Sequence, residues 1–212
     1  MKIIPTSRGG RTRLAALLIA LAVGCAYARL DRVAAVYLSD LREGDIVFQS
    51  LPHAELVDAI EGVTESEWSH CGMLVIVDGH WCVAEAIGEV RYTPLYMWVS
   101  RGRGGTVASY RLKQPPPGLG DTIRSGVEPL LRRPYDFRYA PEDNEIYCSE
   151  LVHKVYDRAL GLKIGEWQTL GSLNWRPFER VIRDMEGGEL PLDRSMITPV
   201  ELTRSALVER VY

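Results

Sequence analysis

Cys148 opens a segment whose apolar residues, Leu151, Val152, Val155, Tyr156 and Ala159, recur at helical spacing. A thiol at a helix N-terminus is biased toward thiolate, because the unsatisfied N–H groups there concentrate positive potential. The same N–H groups can hold an oxyanion. Taken alone, the pattern fits both a nucleophile and a plain buried cysteine at the start of a core helix.

A thiol nucleophile needs a base, and His70 is placed to be one by a hairpin. Cys71 to Val77 is rich in β-formers, Asp78-Gly79 is a strong two-residue turn, and Trp81 to Ile87 returns. With that loop Val77 faces His80, Gly72 faces Glu85 and His70 faces Ile87. His70 and Glu85 then share a face as diagonal neighbours, with Cα atoms about 7–8 Å apart. Glu85 can orient the imidazole at that separation. The same register turns Cys71 and Cys82 to the opposite face, several residues apart along the ladder. A disulfide between them is not expected, and both read as small buried hydrophobes. No metal site is expected, because the register separates these cysteines from His70. No cofactor is implied.

The elements around these residues follow from turn and cap signals. Arg42-Glu43-Gly44-Asp45 reads as a turn capped by Asp45, before the strand Ile46 to Phe48. Residues 53–62 read as a helix stopped by Gly62. Arg91 to Thr93 and Thr106 to Leu112 are further strands, Gln114 to Gly120 a linker, and Asp121 to Leu131 a helix. Tyr147 to Leu160 is a helix ended by Gly161. Residues 198–208 start a terminal helix, with Thr198 as N-cap and Pro199 in its first turn. The outline is α+β, an antiparallel sheet with helices packed on it.

The first 28 residues have the order of an export signal. Lys2, Arg8, Arg11 and Arg13 precede the apolar run Leu14 to Val23, and Ala26-Tyr27-Ala28 offers a cleavage site. Ala22-Val23-Gly24-Cys25 also resembles a bacterial lipoprotein signal, which would lipidate Cys25. An uncleaved anchor is the third reading. All three place residues 29–212 outside the cytoplasm as one domain, periplasmic or held at the membrane through the N-terminus. Cys71, Cys82 and Cys148 are then an odd set, so at least one thiol is free. Residues 29–39 read as a short helix. With a net charge of −3 and basic residues gathered only in the first thirteen positions, nothing points to nucleic acid. At 46% hydrophobic and 25% charged residues, the composition is that of a globular protein.

Five blocks occur in one order: Gly44-Asp45-Ile46-Val47-Phe48, Ser69-His70-Cys71-Gly72-Met73, Ala84-Glu85-Ala86, Tyr135-Asp136-Phe137 and Tyr147-Cys148-Ser149-Glu150-Leu151-Val152. Ile197-Thr198-Pro199 follows. In these the chain resembles the YiiX/YebB-like cysteine hydrolases of the NlpC/P60 superfamily over roughly residues 41–208. The resemblance implies a circularly permuted papain-like fold, with His-bearing strands before the Cys-bearing helix. It also implies Cys148 as nucleophile, His70 as base and Glu85 as the orienting residue. The expected reaction is hydrolysis of an amide, or an ester, through a thioester; the substrate is an envelope peptide, amide or acyl lipid. An acyltransferase with the same residues, or a non-catalytic envelope binding protein, are the alternatives. Cys71 stands where an apolar residue is more usual, and Arg101 to Gly105 matches nothing assignable.

Tyr135 reads as a pocket wall, an oxyanion donor or a core tyrosine, and Trp68 as a cleft wall or a core tryptophan. Glu150 reads as a structural carboxylate in the first helical turn. His53, His80 and His153 read as surface or helix-face residues.

Overall fold

The computed structural model describes residues 40–140, 142 and 144–212. The leader, Cys25 and the expected helix over 29–39 lie outside the described residues.

The hairpin sets the frame. Asp78 (φ 50°) and Gly79 (φ 79°) both adopt the left-handed backbone that a two-residue turn requires. They join β2 (His70–Val77) to β3 (His80–Ile87), with Val77 opposite His80 and Met73 opposite Ala84. This is the register expected from the sequence. On one side β1 (Ile46–Gln49) pairs with β2 and places Gln49 opposite His70. On the other, β4 (Glu89–Pro94) pairs with β3. β5 (Val107–Leu112) and β8 (Val208–Arg210) complete a six-stranded antiparallel sheet of order β4-β3-β2-β1-β5-β8. A separate pair, β6 (Gln168–Thr169) and β7 (Ser195–Met196), forms a small second sheet.

Alternation along the strands divides the sheet into two faces. Phe48, Cys71, Met73, Val75, Ala84 and Ala86 point to one, where they share a core with α3 (Leu119–Val127) and α4 (Cys148–Leu160). Leu151, Val152 and Val155 of α4 are at most 1% exposed. Burial of each such side chain contributes about 1.5–3 kcal/mol, and the stripe fixes which way α4 presents its first residue. Gly161 ends the helix in the left-handed conformation (φ 67°), its N–H returning to the carbonyls of Tyr156 and Asp157. α2 (Leu95–Arg101) packs against β3 and β4, burying Leu95 and Trp98.

Two expectations about helix limits are corrected. α1 (Glu55–Thr64) runs through Gly62 and ends only where Glu65 turns left-handed (φ 49°). Gly62 is required for packing instead: a Cβ there would lie 1.9 Å from Cζ of Phe178. Phe178 precedes α5 (Glu179–Glu186), so the glycine lets that helix approach α1. The terminal helix, α6 (Pro199–Arg204), is capped as expected by Thr198, whose hydroxyl accepts from the N–H of Glu201. It stops at Ser205, and the chain continues into β8, an edge strand too short to show an alternating pattern.

Candidate active site

Cys148 is the first residue of α4 and is 3% exposed. Two bonds hold this helix end in place: Ser149 Oγ donates to the carbonyl of Ile197 (2.8 Å), and the N–H of Ile197 donates to Tyr147 Oη (2.9 Å). The N–H of Tyr147 donates to Glu150 Oε2 (3.3 Å), so Glu150 serves its own helix terminus. At the C-terminal part, Tyr156 Oη donates to the carbonyl of Gly44.

His70, the first residue of β2, meets both Cys148 and Glu85. Its Nε2 lies 2.6 Å from Glu85 Oε2, which leaves Nδ1 for the hydrogen bond to the Cys148 thiol. The diagonal pair expected from the hairpin is therefore formed, on the expected strands. Glu85 is fully buried. It accepts also from Thr93 Oγ1 (2.5 Å) and from the Arg101 guanidinium (2.5 Å). Neither partner is evident from the sequence. Thr93 lies two residues along β4 from Arg91, the direct cross-strand partner of Glu85, and so falls on the face that carries Glu85. Arg101 comes from the end of α2, whose position no local pattern reveals.

Ionisation follows from these contacts. Burial by itself would lower the His70 pKa, but the hydrogen bonds to Cys148 and Glu85 outweigh it and push it up to about 9. Burial by itself would raise Glu85, but the bonds to His70 and Arg101 hold it at about 2. Cys148 is held well below the usual thiol range, first by a hydrogen bond from the Cys71 thiol and then, against burial, by His70. The three shifts run in one sense: each favours the charged form of its group, the thiolate of Cys148, the imidazolium of His70 and the carboxylate of Glu85.

Cys71 departs from the role its sequence position suggests. Its side chain leaves the sheet on the face away from Glu85, as the register requires, but that is the face α4 covers. Both the thiol and the backbone N–H of Cys71 reach Cys148; the β2–β3 ladder begins only at Met73, while on its other side Cys71 pairs with Phe48 of β1. Cys71 is thus part of the immediate surroundings of Cys148 rather than inert filling, and its own pKa is raised by burial and then by that bond. Cys71, Cys82 and Cys148 are all free of disulfides.

Tyr135 is buried, with its hydroxyl 3.4 Å from Tyr139 Oη. Burial, Tyr139 and the neighbouring Cys148 keep its phenol protonated. Trp68 packs in the core beside Phe48, ring centroids 6.3 Å apart, and is not among the residues lining the groove at Cys148. His53 and His80 are exposed. His153, expected on the surface or on a helix face, lies on a buried face of α4: Nδ1 lies 2.8 Å from the Ile164 carbonyl and Nε2 accepts from Trp167 Nε1 (3.0 Å). Both ring nitrogens are occupied, so the imidazole braces α4 against the following loop. Asp45 accepts from the N–H of Arg42 (2.8 Å), closing the turn as expected, and pairs with Arg111 (2.7 Å).

The strand that begins with His70 precedes the helix that begins with Cys148 in the chain, and the two side chains meet. The family model for permuted papain-like amidase enzymes of the YaeF/YiiX, C92 family matches residues 40–212. The chain belongs to that family. It is 35% identical over 162 residues to the uncharacterized protein YiiX of Escherichia coli (strain K12), spanning 74% of this chain and 78% of YiiX. It also matches the crystal structure of YiiX from Escherichia coli O157:H7, there described as a metalloprotein. That match has a TM-score of 0.77 at 32% identity, over 81% of this chain and 96% of the solved one. The chain is accordingly a cysteine hydrolase of the peptidase and amidase type, with the permuted papain-like α+β fold.

Proposed function

We propose that the protein cleaves amide bonds, or esters, in the cell envelope through a Cys148–His70–Glu85 triad and a thioester intermediate. The observation that carries this reading is the continuous hydrogen-bonded line from a helix-terminal thiol through His70 to a buried carboxylate. The Cys148 thiolate attacks the substrate carbonyl, and the oxyanion forms beside the unsatisfied N–H groups at the start of α4. His70, protonated at neutral pH, gives its proton to the leaving amine and then takes one from the water that opens the thioester. Glu85 holds the ring so that Nδ1 faces sulfur and stabilises the positive charge. Tyr135, kept neutral, is a further donor for the oxyanion. Among the described residues no group of three or more His, Cys, Asp or Glu side chains is arranged to hold a metal ion, and each step above is carried by the chain's own groups.

The envelope setting rests on the charged start, apolar run and small-residue end of residues 1–28, with Cys25 as the lipidation site if the lipoprotein reading holds. Among the described residues no helix is long and apolar enough to cross a membrane. The reading is tested by alkylation and turnover together. Iodoacetamide should label Cys148 ahead of Cys71 and Cys82, and Cys148→Ala should abolish hydrolysis of amide substrates while leaving the circular dichroism spectrum unchanged. Equal labelling of the three thiols, or turnover by Cys148→Ala, sinks it.

A further inference from the structure

Arg101 closes α2 beside the His70–Glu85 pair and begins the segment Arg101 to Gly105, to which the sequence assigns no role. Glu85 Oε2 accepts from two cationic side chains at once, His70 Nε2 at 2.6 Å and Arg101 Nη2 at 2.5 Å, while Oε1 accepts from Thr93 Oγ1 at 2.5 Å. The end of α2 is fixed where this contact needs it. Trp98, one turn earlier, is fully buried with its ring centroid 6.4 Å from that of His70. The N–H of Arg103 donates to the carbonyl of Ser50 (2.7 Å), which ties the segment to the end of β1. Gly102 lies against Gln49, the residue opposite His70; a Cβ on Gly102 would come within 2.6 Å of Gln49 Oε1. Arg101 Nε is buried with no hydrogen-bond partner among the described residues. A guanidinium held for stability alone would have that donor satisfied, so its placement serves the charge it sets on Glu85.

Hydrolysis takes His70 through two protonation states. In the free enzyme the contacts to Cys148 and Glu85 favour the imidazolium. Acylation turns the sulfur into a thioester and removes the first of those two supports. By then the ring has given one proton to the leaving group and carries one more. Only with that proton on Nε2 does Nδ1 hold a lone pair toward the water that opens the thioester. An N–H at Nε2 needs an ionised Glu85 to accept it. A protonated Glu85 would instead donate to Nε2, the ring proton would sit on Nδ1, and the base would be blocked. Once His70 is neutral, desolvation drives the fully buried carboxylate toward its uncharged form. Arg101 is then the cation that remains beside it. The other groups facing the pair are Cys148 on α4, Cys71 on β2 and the uncharged Gln49 on β1 and Thr93 on β4; Arg91, across from Glu85 on β4, is exposed.

We propose that Arg101 is a positioning residue for deacylation: acting through Glu85, it keeps the carboxylate ionised while His70 is neutral and so holds the ring proton on Nε2. The proposal rests on the thiol-hydrolase reading of Cys148. The step it governs balances without a further reactant. The water oxygen bonds to the thioester carbonyl carbon as one water proton passes to His70 Nδ1. The C–S bond then breaks, the carboxylic acid leaves, and thiolate and imidazolium are restored. The sign of the pH dependence follows. A positive charge beside Glu85 helps the His70–Glu85 pair lose its second proton, so removing that charge raises the pH at which His70 becomes a base. Acylation, which starts from the imidazolium, is spared.

The test reads the two steps separately. In stopped-flow hydrolysis of p-nitrophenyl acetate across pH 5–9, the burst of p-nitrophenol reports acylation and the steady rate after it reports deacylation. Arg101→Gln keeps an N–H donor for Glu85 and removes the charge. A neighbouring opposite charge shifts a carboxylate by roughly 1–3 pH units, so the acid limb of deacylation should move up by about one pH unit or more. Deacylation below both limbs should then slow about tenfold, while the burst rate stays within about twofold. Arg101→Lys, which keeps the charge, should bring the limb back toward that of the unaltered protein. A limb that stays or moves down, as loosening of Glu85 alone would give, overturns the proposal, and so does a Lys variant no better than Gln. A second measurement needs neither turnover nor an Arg101 variant. In Cys148→Ala protein, which lacks the thiolate as the acyl-enzyme does, nitrogen-15 NMR should show the neutral His70 ring protonated at Nε2. A ring protonated at Nδ1 overturns the proposal whichever variants fold. If the unaltered protein gives no burst, yet the Cys148→Ala ring is protonated at Nε2 and titrates at higher pH when Arg101→Gln is added, the role of Arg101 is supported and the hydrolase reading fails.

Discussion

Glu85→Gln separates the orienting role of the carboxylate from its charge. Gln has the same shape, so its carbonyl oxygen can keep the acceptor position that meets His70 and Arg101, and its amide can donate to the Thr93 hydroxyl. What is lost is a buried negative charge 2.6 Å from the imidazolium. A hydrogen bond to a charged group contributes about 1.5–3 kcal/mol. At 1.36 kcal/mol for each pH unit, losing it should lower the His70 pKa by roughly one to two pH units from its position near 9. The sign follows from the elevated value: His70 is protonated below its pKa, and the proton needed by the leaving group is lost as pH rises through it. The alkaline limb of kcat/KM should therefore move to roughly pH 7–8. The variant should keep most of its rate near pH 6 and lose about tenfold near pH 8.5, a smaller loss than the ~10²–10⁴-fold expected of His70→Ala. Arg101 is 24% exposed, so water can solvate its charge and the fold should survive. The assay is release of p-nitroaniline from an acyl anilide across pH 5–10, with thermal melts run alongside. An unchanged alkaline limb with unchanged turnover would refute the reasoning and leave a Cys–His pair without a working third member.

Three further outcomes are expected. Cys71→Ala removes the first of the contacts that hold Cys148 low, so the acid limb of iodoacetamide alkylation at Cys148 should move to higher pH; an unmoved limb would show the thiol contact to be incidental. Gly62→Ala should lower stability by about 1–3 kcal/mol in urea titrations through overpacking against Phe178, although alanine is intrinsically the better helix former by about 1 kcal/mol; a stabilised variant would contradict the packing of α5 on α1. Residues 1–40 fused to a reporter active only after export should give signal, and Cys25→Ser should abolish membrane association if that cysteine is lipidated; a silent reporter would remove the envelope setting.

The sequence disclosed those parts of the site that depend on local periodicity. Two-residue alternation and the Asp78-Gly79 turn determine which strand residues share a face, so the His70–Glu85 pair follows from residue order alone. Helical spacing after Cys148, with Gly161 beyond it, located α4. Contacts between elements left no local trace. Cys71 points away from Glu85 along β2, and only the docking of α4 over that face brings its thiol to Cys148. Arg101 reaches Glu85 because α2 folds back against β3 and β4. Gly62 resembles a helix stop in isolation, since its reason for being glycine is an aromatic ring more than a hundred residues away in the chain. The groove at Cys148 likewise needs α5, whose apolar residues Val181, Ile182 and Met185 are too few to mark a helix on their own.

The central claim is covalent chemistry at one sulfur, and intact-mass spectrometry of the protein rapidly quenched in acid during turnover of p-nitrophenyl acetate tests it most directly. The account predicts a transient mass increase equal to one acetyl group, mapped by peptide analysis to Cys148 as a hydroxylamine-labile thioester and absent in Cys148→Ala. An adduct on Cys71, or product formation in single-turnover samples with no acyl-protein at any time point, would contradict it.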